Sequence, residues 1–209
     1  MPARQPHDGA YKLLFSHPLM VRELLEGFVR EDWVRRLDFA TLERVNGHYV
    51  GDRLQQRCDD VVWRVRMADD GGWLYLYLLL EFQSSSDRWM ALMNYVGLLW
   101  QDLVRSRRLA PGNRLPPVFP LVIYSGRPRW GAPLNLQPLQ AAPADGALSG
   151  YQPQFRYFLF DEGRVPPEQA GQAENAVSSL LALEASRDLE TLQREITRLR
   201  LRLEAPEHD

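Results

Sequence analysis

The sequence has little of several features that define other classes of protein. It has one cysteine, Cys58, which excludes an intramolecular disulfide, and no apolar stretch follows a charged N-terminus as in a signal peptide. The longest apolar run, residues 73–80, is less than half of the roughly 20 residues that span a bilayer. These absences predict a protein of the reducing cytoplasm with no membrane span.

Excess positive charge and lysine are also lacking. The 25 basic and 27 acidic residues give a formal net charge of -2, which excludes a protein held on nucleic acid by overall charge. Every basic residue is arginine except Lys12. This lysine either marks a site that needs a compact, titratable ammonium or is the remnant of a base-composition bias.

What is present suffices for one core of mixed α/β type, with 45% hydrophobic residues in a chain of 209. Helical spacing predicts helices from near residue 8, from Pro18, and over about residues 88–105. Strands are predicted at residues 61–66, 73–83, 118–126 and 155–161. We therefore expect a mixed sheet flanked by helices within residues 1–165, followed by a helical extension, residues 166–209.

The helical extension carries apolar residues spaced alternately by three and four. They are Leu189, Leu192, Ile196, Leu199 and Leu203. Such spacing predicts a seam for another helix. The partner is either the chain's own core or a second copy in a homodimer, because two heptads are too few to decide.

Two predicted strands flank the turn ADDGG and should form an antiparallel hairpin, in which directly opposite residues share a sheet face. If the turn pairs Met67 with Gly72, Asp60 lies opposite Leu79 on the face that also carries Glu81. A slip by two residues puts Asp60 opposite Glu81 itself. Either register brings the two acids together at the open end of the hairpin.

The open end of the hairpin offers oxygen ligands. Glu81 and Gln83 follow a run of eight uncharged residues, where a buried strand reaches the edge of the core. With Asp60 they suit Mg²⁺ or Mn²⁺, which would polarise a phosphodiester and activate water. A one-residue slip would select Asp59 instead. The alternative is that Glu81 simply ends a strand and both aspartates are ordinary loop acids.

Four segments between residues 7 and 127 together resemble a known family. They are HDGAYKLLFSHP, CDDVVWRVR, LYLLLEFQSSSDRWMALMNY and FPLVIYSGR, of which EFQSS is the most specific. In this order they are similar to the recombination-promoting nuclease / putative transposase family. The resemblance implies a PD-(D/E)XK restriction-endonuclease-like fold, divalent-metal-dependent DNA endonuclease activity and a link to recombination or mobile DNA.

By this resemblance Asp60 takes the family's first acid position, Glu81 the second, and Gln83 the place where the wider superfamily usually has lysine. An amide cannot act as a general base, so Gln83 would orient water or bind the metal. Lys12 would then supply the missing positive charge. The same substitution leaves open a second function, a catalytically weak nuclease-fold module that binds DNA or protein.

Further candidates surround this centre. His7 and Asp8 either belong to its rim or cap the first helix. Arginines that could hold DNA phosphates are Arg64 and Arg66 on the face of Asp60, Arg105, Arg107 and Arg108 at a helix end, and Arg127 after a strand. For the three at the helix end, compensation of the helix dipole is an equal alternative.

Overall fold

The computed structural model describes residues 6–45, 60–81, 88–126, 128–141, 146–166 and 175–205, and at residues 6–8, 60 and 88–90 it describes the backbone only. The helices are α1 (Pro6–Leu14), α2 (Pro18–Phe28), α3 (Arg88–Arg105), α4 (Ala176–Ala185) and α5 (Leu189–Leu203). The strands are β1 (Leu37–Arg44), β2 (Asp60–Met67), β3 (Trp73–Glu81), β4 (Val118–Tyr124) and β5 (Phe158–Asp161).

The strands form one five-stranded sheet in the order β1-β2-β3-β4-β5. The pairs β1–β2 and β2–β3 are antiparallel, whereas β3–β4 and β4–β5 are parallel. Helix α3 is the crossover between β3 and β4, as a parallel connection requires. The structure confirms the predicted mixed sheet with helices beside it.

The hairpin of β2 and β3 has the first of the two registers allowed by the sequence. The Met67 N–H donates to the Gly72 carbonyl oxygen over 2.8 Å, and Asp60 lies opposite Leu79. The turn supports this register because Gly71 has a φ of +65° and the Gly72 N–H donates to Asp70 Oδ1 over 2.9 Å.

Strand β3 is buried on both faces, so its side chains contribute to two core layers. The first layer combines Leu74, Leu76, Leu78 and Leu80 with apolar residues of α1, α2, α4 and α5. The second combines Tyr75, Tyr77 and Leu79 with α3 and with the connection from β4 to β5. Because alternate residues of a strand share a face, Glu81 lies on the same face of β3 as the second set.

Strand β5 is shorter than predicted. The sequence indicated a strand over residues 155–161, but only Phe158–Asp161 pair with β4. Arg156 instead forms an isolated bridge with Asn135 in the preceding connection. The earlier residues are thus paired with the covering loop rather than with the sheet.

The C-terminal helices pack on the first core layer. Ala176, Val177 and Leu180 of α4 and Leu199 of α5 are buried there. Glu23 of α2 links them, because one carboxylate oxygen accepts from the Ala176 N–H and the other lies 3.3 Å from Arg202 Nη1.

The predicted seam of α5 is only partly buried. Leu199 packs in the core, but Leu189 is 71% exposed and Ile196 is 46% exposed. Within the described part of the chain, no helix is long and apolar enough to cross a membrane. The division at residue 165 stays a prediction.

Candidate active site at the carboxyl edge of the sheet

Glu81 is the last residue of β3, and its side chain is completely buried. It follows a strand of apolar residues and lies opposite Tyr124, the last residue of β4. The Ser125 N–H donates to the Glu81 carbonyl oxygen over 3.2 Å, which extends the strand pairing by one residue. A carboxylate at such a position needs a proton, a cation or hydrogen-bond donors beside it.

Asp60 begins β2 and pairs with Leu79, two residues before Glu81. Because side chains alternate along a strand, Asp60, Leu79 and Glu81 belong to the same face. Residues in this diagonal relation have α-carbons about 7–8 Å apart. The backbone therefore brings the two predicted acid positions together, although the Asp60 side chain and all of Gln83 lie outside the described residues.

The face shared by Asp60 and Glu81 is the one covered by α3. Val62, Leu79 and Val122 from three adjacent strands pack in this layer. The ring of Tyr77 stacks on that of Tyr95 in α3, with centroids 5.8 Å apart. The two acids thus lie where this apolar layer ends, at the carboxyl edge of β3.

Asp161 extends the carboxyl edge and was missed by the sequence reasoning. In the parallel part of the sheet, Glu81 lies opposite Tyr124 and Tyr124 opposite Asp161. Asp161 is only 9% exposed, and its Oδ2 lies 3.8 Å from Arg164 Nε. Its signal in the sequence was the one that identified Glu81, an acid that ends an apolar strand.

Tyr124 separates the two strand-end acids and is firmly fixed. Its hydroxyl donates to the Pro128 carbonyl oxygen over 2.7 Å, and its ring packs edge-on against Trp130. Gly126 lies so close that a Cβ there would be 2.2 Å from the Tyr124 hydroxyl oxygen. Glycine is therefore required where the chain leaves β4.

A second acidic group lies just past β5. The Tyr11 hydroxyl donates to Glu162 Oε2 over 2.7 Å. Burial raises the pKa of Glu162 to about 8, with further raising by Glu184 and Asp161, although the hydrogen bond from Tyr11 opposes the shift. Burial and Glu162 in turn raise the pKa of Tyr11. At neutral pH the Glu162 carboxyl is therefore largely protonated.

Helix α1 places Lys12 near this edge but on the other core layer. Lys12 is half-buried and follows Tyr11, whose ring packs in the first layer. The Trp63 Nε1–H donates to the carbonyl oxygen of Phe15, the residue after α1, over 3.0 Å, which ties the end of this helix to β2. The side chains of His7 and Asp8, predicted to lie at the rim of the site, are not among those that the structure describes.

Arg64 and Arg66 lie at the far end of the hairpin from Glu81. Both guanidinium carbons are 4.3 Å from the centre of the Trp73 ring, and Arg64 Nη2 lies 2.5 Å from Glu43 Oε1. Arg64 pairs with Tyr75, six residues before Glu81, which corresponds to about 20 Å along the strand. The structure therefore does not bring them to the acids.

The remaining arginines are also separate from the acids. Arg105, Arg107 and Arg108 lie at the end of α3, at the amino edge of β3 and β4, and Arg127 falls outside the described residues. Among side chains that the structure describes, no three His, Cys, Asp or Glu residues are grouped to hold a metal ion. The described side chains include that of Glu81 but neither the Asp60 carboxylate nor Gln83.

The comparison with protein families confirms the resemblance inferred from the sequence. A family model described as "Putative transposase, YhgA-like" matches residues 5–207. No solved structure matches the chain.

Three relatives come from Escherichia coli. Recombination-promoting nuclease RpnD of strain O157:H7 is 29% identical over 123 residues, covering 58% of this chain and 45% of that protein. Recombination-promoting nuclease RpnA of strain K12 is 31% identical over 124 residues, covering 58% and 40%. The putative inactive recombination-promoting nuclease-like protein YjiP of K12 is 30% identical over 92 residues, covering 43% and 87%. The chain thus spans less than half the length of RpnD and RpnA.

Proposed function

The chain belongs to the YhgA-like putative transposase family, and from that premise we propose that it is a divalent-metal-dependent DNA endonuclease of the PD-(D/E)XK type that serves recombination. The observation that carries the proposal is the pairing of Asp60 with Leu79, which gives Asp60 and the buried Glu81 one sheet face. Two relatives named recombination-promoting nucleases support the reaction class.

Asp60 and Glu81 would hold the metal ion. Two carboxylates on adjacent strands repel each other unless a cation lies between them, and hard oxygen ligands suit Mg²⁺ or Mn²⁺. When bound, the ion would neutralise charge on the scissile phosphate and make water more acidic. The complete burial of Glu81 fits this role, because a buried carboxylate is costly without a compensating charge.

Other residues would position the substrate and water. The Gln83 amide can donate and accept hydrogen bonds but cannot take up a proton, so it would orient the attacking water. Lys12 would bring a positive charge towards the phosphate from α1. No residue of the chain is assigned as the general base, which leaves deprotonation of water to solvent or to the substrate itself.

A plasmid-nicking assay with the full chain tests the proposal. Wild-type protein with Mn²⁺ or Mg²⁺ should nick supercoiled DNA, and EDTA should stop it. Glu81→Gln keeps the shape of the buried side chain but removes its charge, and should lower the rate by about 10³-fold or more, roughly 4 kcal/mol of transition-state stabilisation. Wild-type activity in a folded Glu81→Gln protein would refute the assignment.

A catalytically weak binding module is the second candidate. It is favoured by Gln83 in the usual lysine position and by the relative described as putative inactive, YjiP. Titration with Mn²⁺ separates the two functions. Stoichiometric binding that is lost in Glu81→Gln favours the nuclease, whereas salt-dependent DNA affinity with no metal binding favours the module.

A further inference from the structure

Positive charge is concentrated in one segment of an otherwise slightly acidic chain. Residues 103–144 contain six arginines and no aspartate or glutamate. Four of the arginines lie between the last turn of α3 and the start of β4, and we name them the α3 arginine cluster: Arg105, Arg107, Arg108 and Arg114.

The end of α3 places an arginine in a backbone conformation that favours glycine. The Arg107 N–H donates to the Val104 carbonyl oxygen over 3.2 Å, and the Arg108 N–H to the Leu103 carbonyl oxygen over 2.9 Å. These two bonds define a Schellman helix end, in which the residue after the cap is left-handed and usually glycine. Here that residue is Arg107, with a φ of +55°.

Compensation of the helix dipole does not account for this choice. Arg105 already lies in the last turn of α3, where a cation interacts favourably with the dipole. A glycine in place of Arg107 would relieve the unfavourable contact between Cβ and the backbone at positive φ. An exposed arginine kept at a conformational cost points to a role for its charge outside the fold.

The cluster keeps most of its charge available to solvent. Asp102 lies one turn before Arg105, and burial raises its pKa while the attraction of Arg105 and Arg108 opposes that shift. Within the residues that the structure describes, Arg107 and Arg114 are exposed and form no ion pair with an acid. The turn that carries Arg114 is closed by the Ala110 N–H, which donates to the Arg114 carbonyl oxygen over 2.9 Å.

The cluster lies on the same layer of the sheet as Asp60 and Glu81 but at its opposite end. The Trp100 Nε1–H donates to the Pro116 carbonyl oxygen over 3.0 Å, and the next residue, Pro117, accepts from the Tyr75 N–H over 3.0 Å. Trp100, five residues before the end of α3, is thus level with Tyr75, and the cluster follows it further towards the amino edge. Tyr75 is six residue steps from Glu81 along β3, about 20 Å, so the cluster lies at least about six base-pair steps of duplex DNA from Glu81.

We propose that the α3 arginine cluster, centred on left-handed Arg107, binds backbone phosphates of duplex DNA about six or more base pairs from the bond cleaved at Asp60 and Glu81. This inference rests on the proposed function for its substrate. It makes the chain's DNA contact a two-point one, with an electrostatic anchor at the amino edge of the sheet and the chemistry at the carboxyl edge.

Arg107→Gly tests the proposal because it separates binding from folding. Relief of the positive φ should raise the melting temperature by about 2–4 °C. Loss of one phosphate contact should weaken binding of a labelled duplex of about 30 base pairs, in EDTA, by about eightfold at 0.1 M salt, and reduce the log–log salt slope by about 0.9. If Arg107 had only a structural role, Arg107→Gly would raise the melting temperature without weakening DNA binding or reducing the salt slope.

Two matched variants complete the experiment. Asn113 also has a positive φ, +57°, but asparagine tolerates that conformation, so Asn113→Gly should change the melting temperature less and leave DNA affinity unchanged. Arg107→Lys keeps the charge and should retain most of the affinity. Equal affinities of wild type and Arg107→Gly across the salt range would overturn the proposal, as would binding to anionic lipid vesicles but not to the duplex.

Failure of this inference is distinguishable from failure of the proposed function. Binding in EDTA requires no catalysis. If binding depends on Arg107 but the protein does not nick DNA, the phosphate contact of the arginine cluster stands and the proposed nuclease function is refuted. Nicking with an affinity that does not depend on Arg107 would refute the anchor alone.

Discussion

The α-carbon of Asp60 lies directly opposite that of Leu79, and this pairing fixes which of two neighbouring acids shares a face with Glu81. A register shifted by one residue would turn every side chain of β2 to the other face. The hairpin turn therefore places the backbone position of Asp60 on the sheet face of Glu81.

Asp60→Asn should abolish DNA nicking, whereas Asp59→Asn should retain it. The two variants remove one charge each from adjacent positions, so their effects on overall charge are the same. The measurement is the initial nicking rate of the two proteins at equal concentration in Mn²⁺. Loss of activity in Asp59→Asn with an active Asp60→Asn would mean that the site uses the other face of the hairpin.

The stability of the protein should fall as Glu162 ionises. Its pKa is raised from 4.5 to about 8 in the folded chain, so between these values the folded state binds more protons than the unfolded state. The contribution of Glu162 is fully present below about pH 4.5 and is lost as the pH rises through about 8. The ionised carboxylate would then be buried near the acidic groups Asp161 and Glu184, both of which raise its pKa.

Glu162→Gln isolates this contribution, because glutamine keeps the shape and cannot ionise. Melting temperatures measured between about pH 5 and pH 9 should fall more steeply for wild type than for Glu162→Gln. As a control, Glu26→Gln alters an exposed ion pair with Arg22. Its melting temperature should depend on pH in the same way as that of wild type. Parallel curves for Glu162→Gln and wild type would show that burial does not hold the proton on Glu162.

Helix α5 offers a matched pair of leucines that tests its packing on the core. Leu199 is 8% exposed and Leu201 is 66% exposed. Leu199→Ala should lower the free energy of unfolding by about 2–5 kcal/mol through a cavity, whereas Leu201→Ala should change it by less than about 0.5 kcal/mol. Equal, small effects in urea denaturation would indicate that the C-terminal helices do not contribute to the core.

Lys12→Arg should lower the nicking rate while the protein stays folded. The guanidinium is larger, planar and always charged, and it cannot replace a compact ammonium at a half-buried position beside Tyr11. The measurement compares the rate with that of Arg22→Lys, the reverse exchange at an exposed residue of α2. Full activity of Lys12→Arg would remove the special role proposed for this lysine.

The hairpin could be predicted because its information is local. Asp70 and Gly71 favour a tight turn, the arginines of β2 alternate with apolar residues, and β3 is continuously apolar. These features predict the hairpin and, in both registers that place Asp60 and Glu81 on one face, their proximity, while the pairing of Asp60 with Leu79 is seen only in the structure.

The row of Glu81, Tyr124 and Asp161 could not be predicted from spacing. Their strands are parallel and joined by long crossovers, so the register depends on how α3 and the β4–β5 connection pack on the sheet. The positive φ of Arg107 was equally hidden, since a glycine or asparagine is the usual signal of such a helix end.

The most direct test of the account compares nicking rates of Asp60→Asn, Glu81→Gln and the double variant under single-turnover conditions with Mn²⁺. If the two carboxylates hold one ion, each single variant should lose about as much activity as the double variant, because residues that act as a unit are not additive. A double variant whose loss is the product of two modest single losses, or a single variant with wild-type activity, would contradict the shared site.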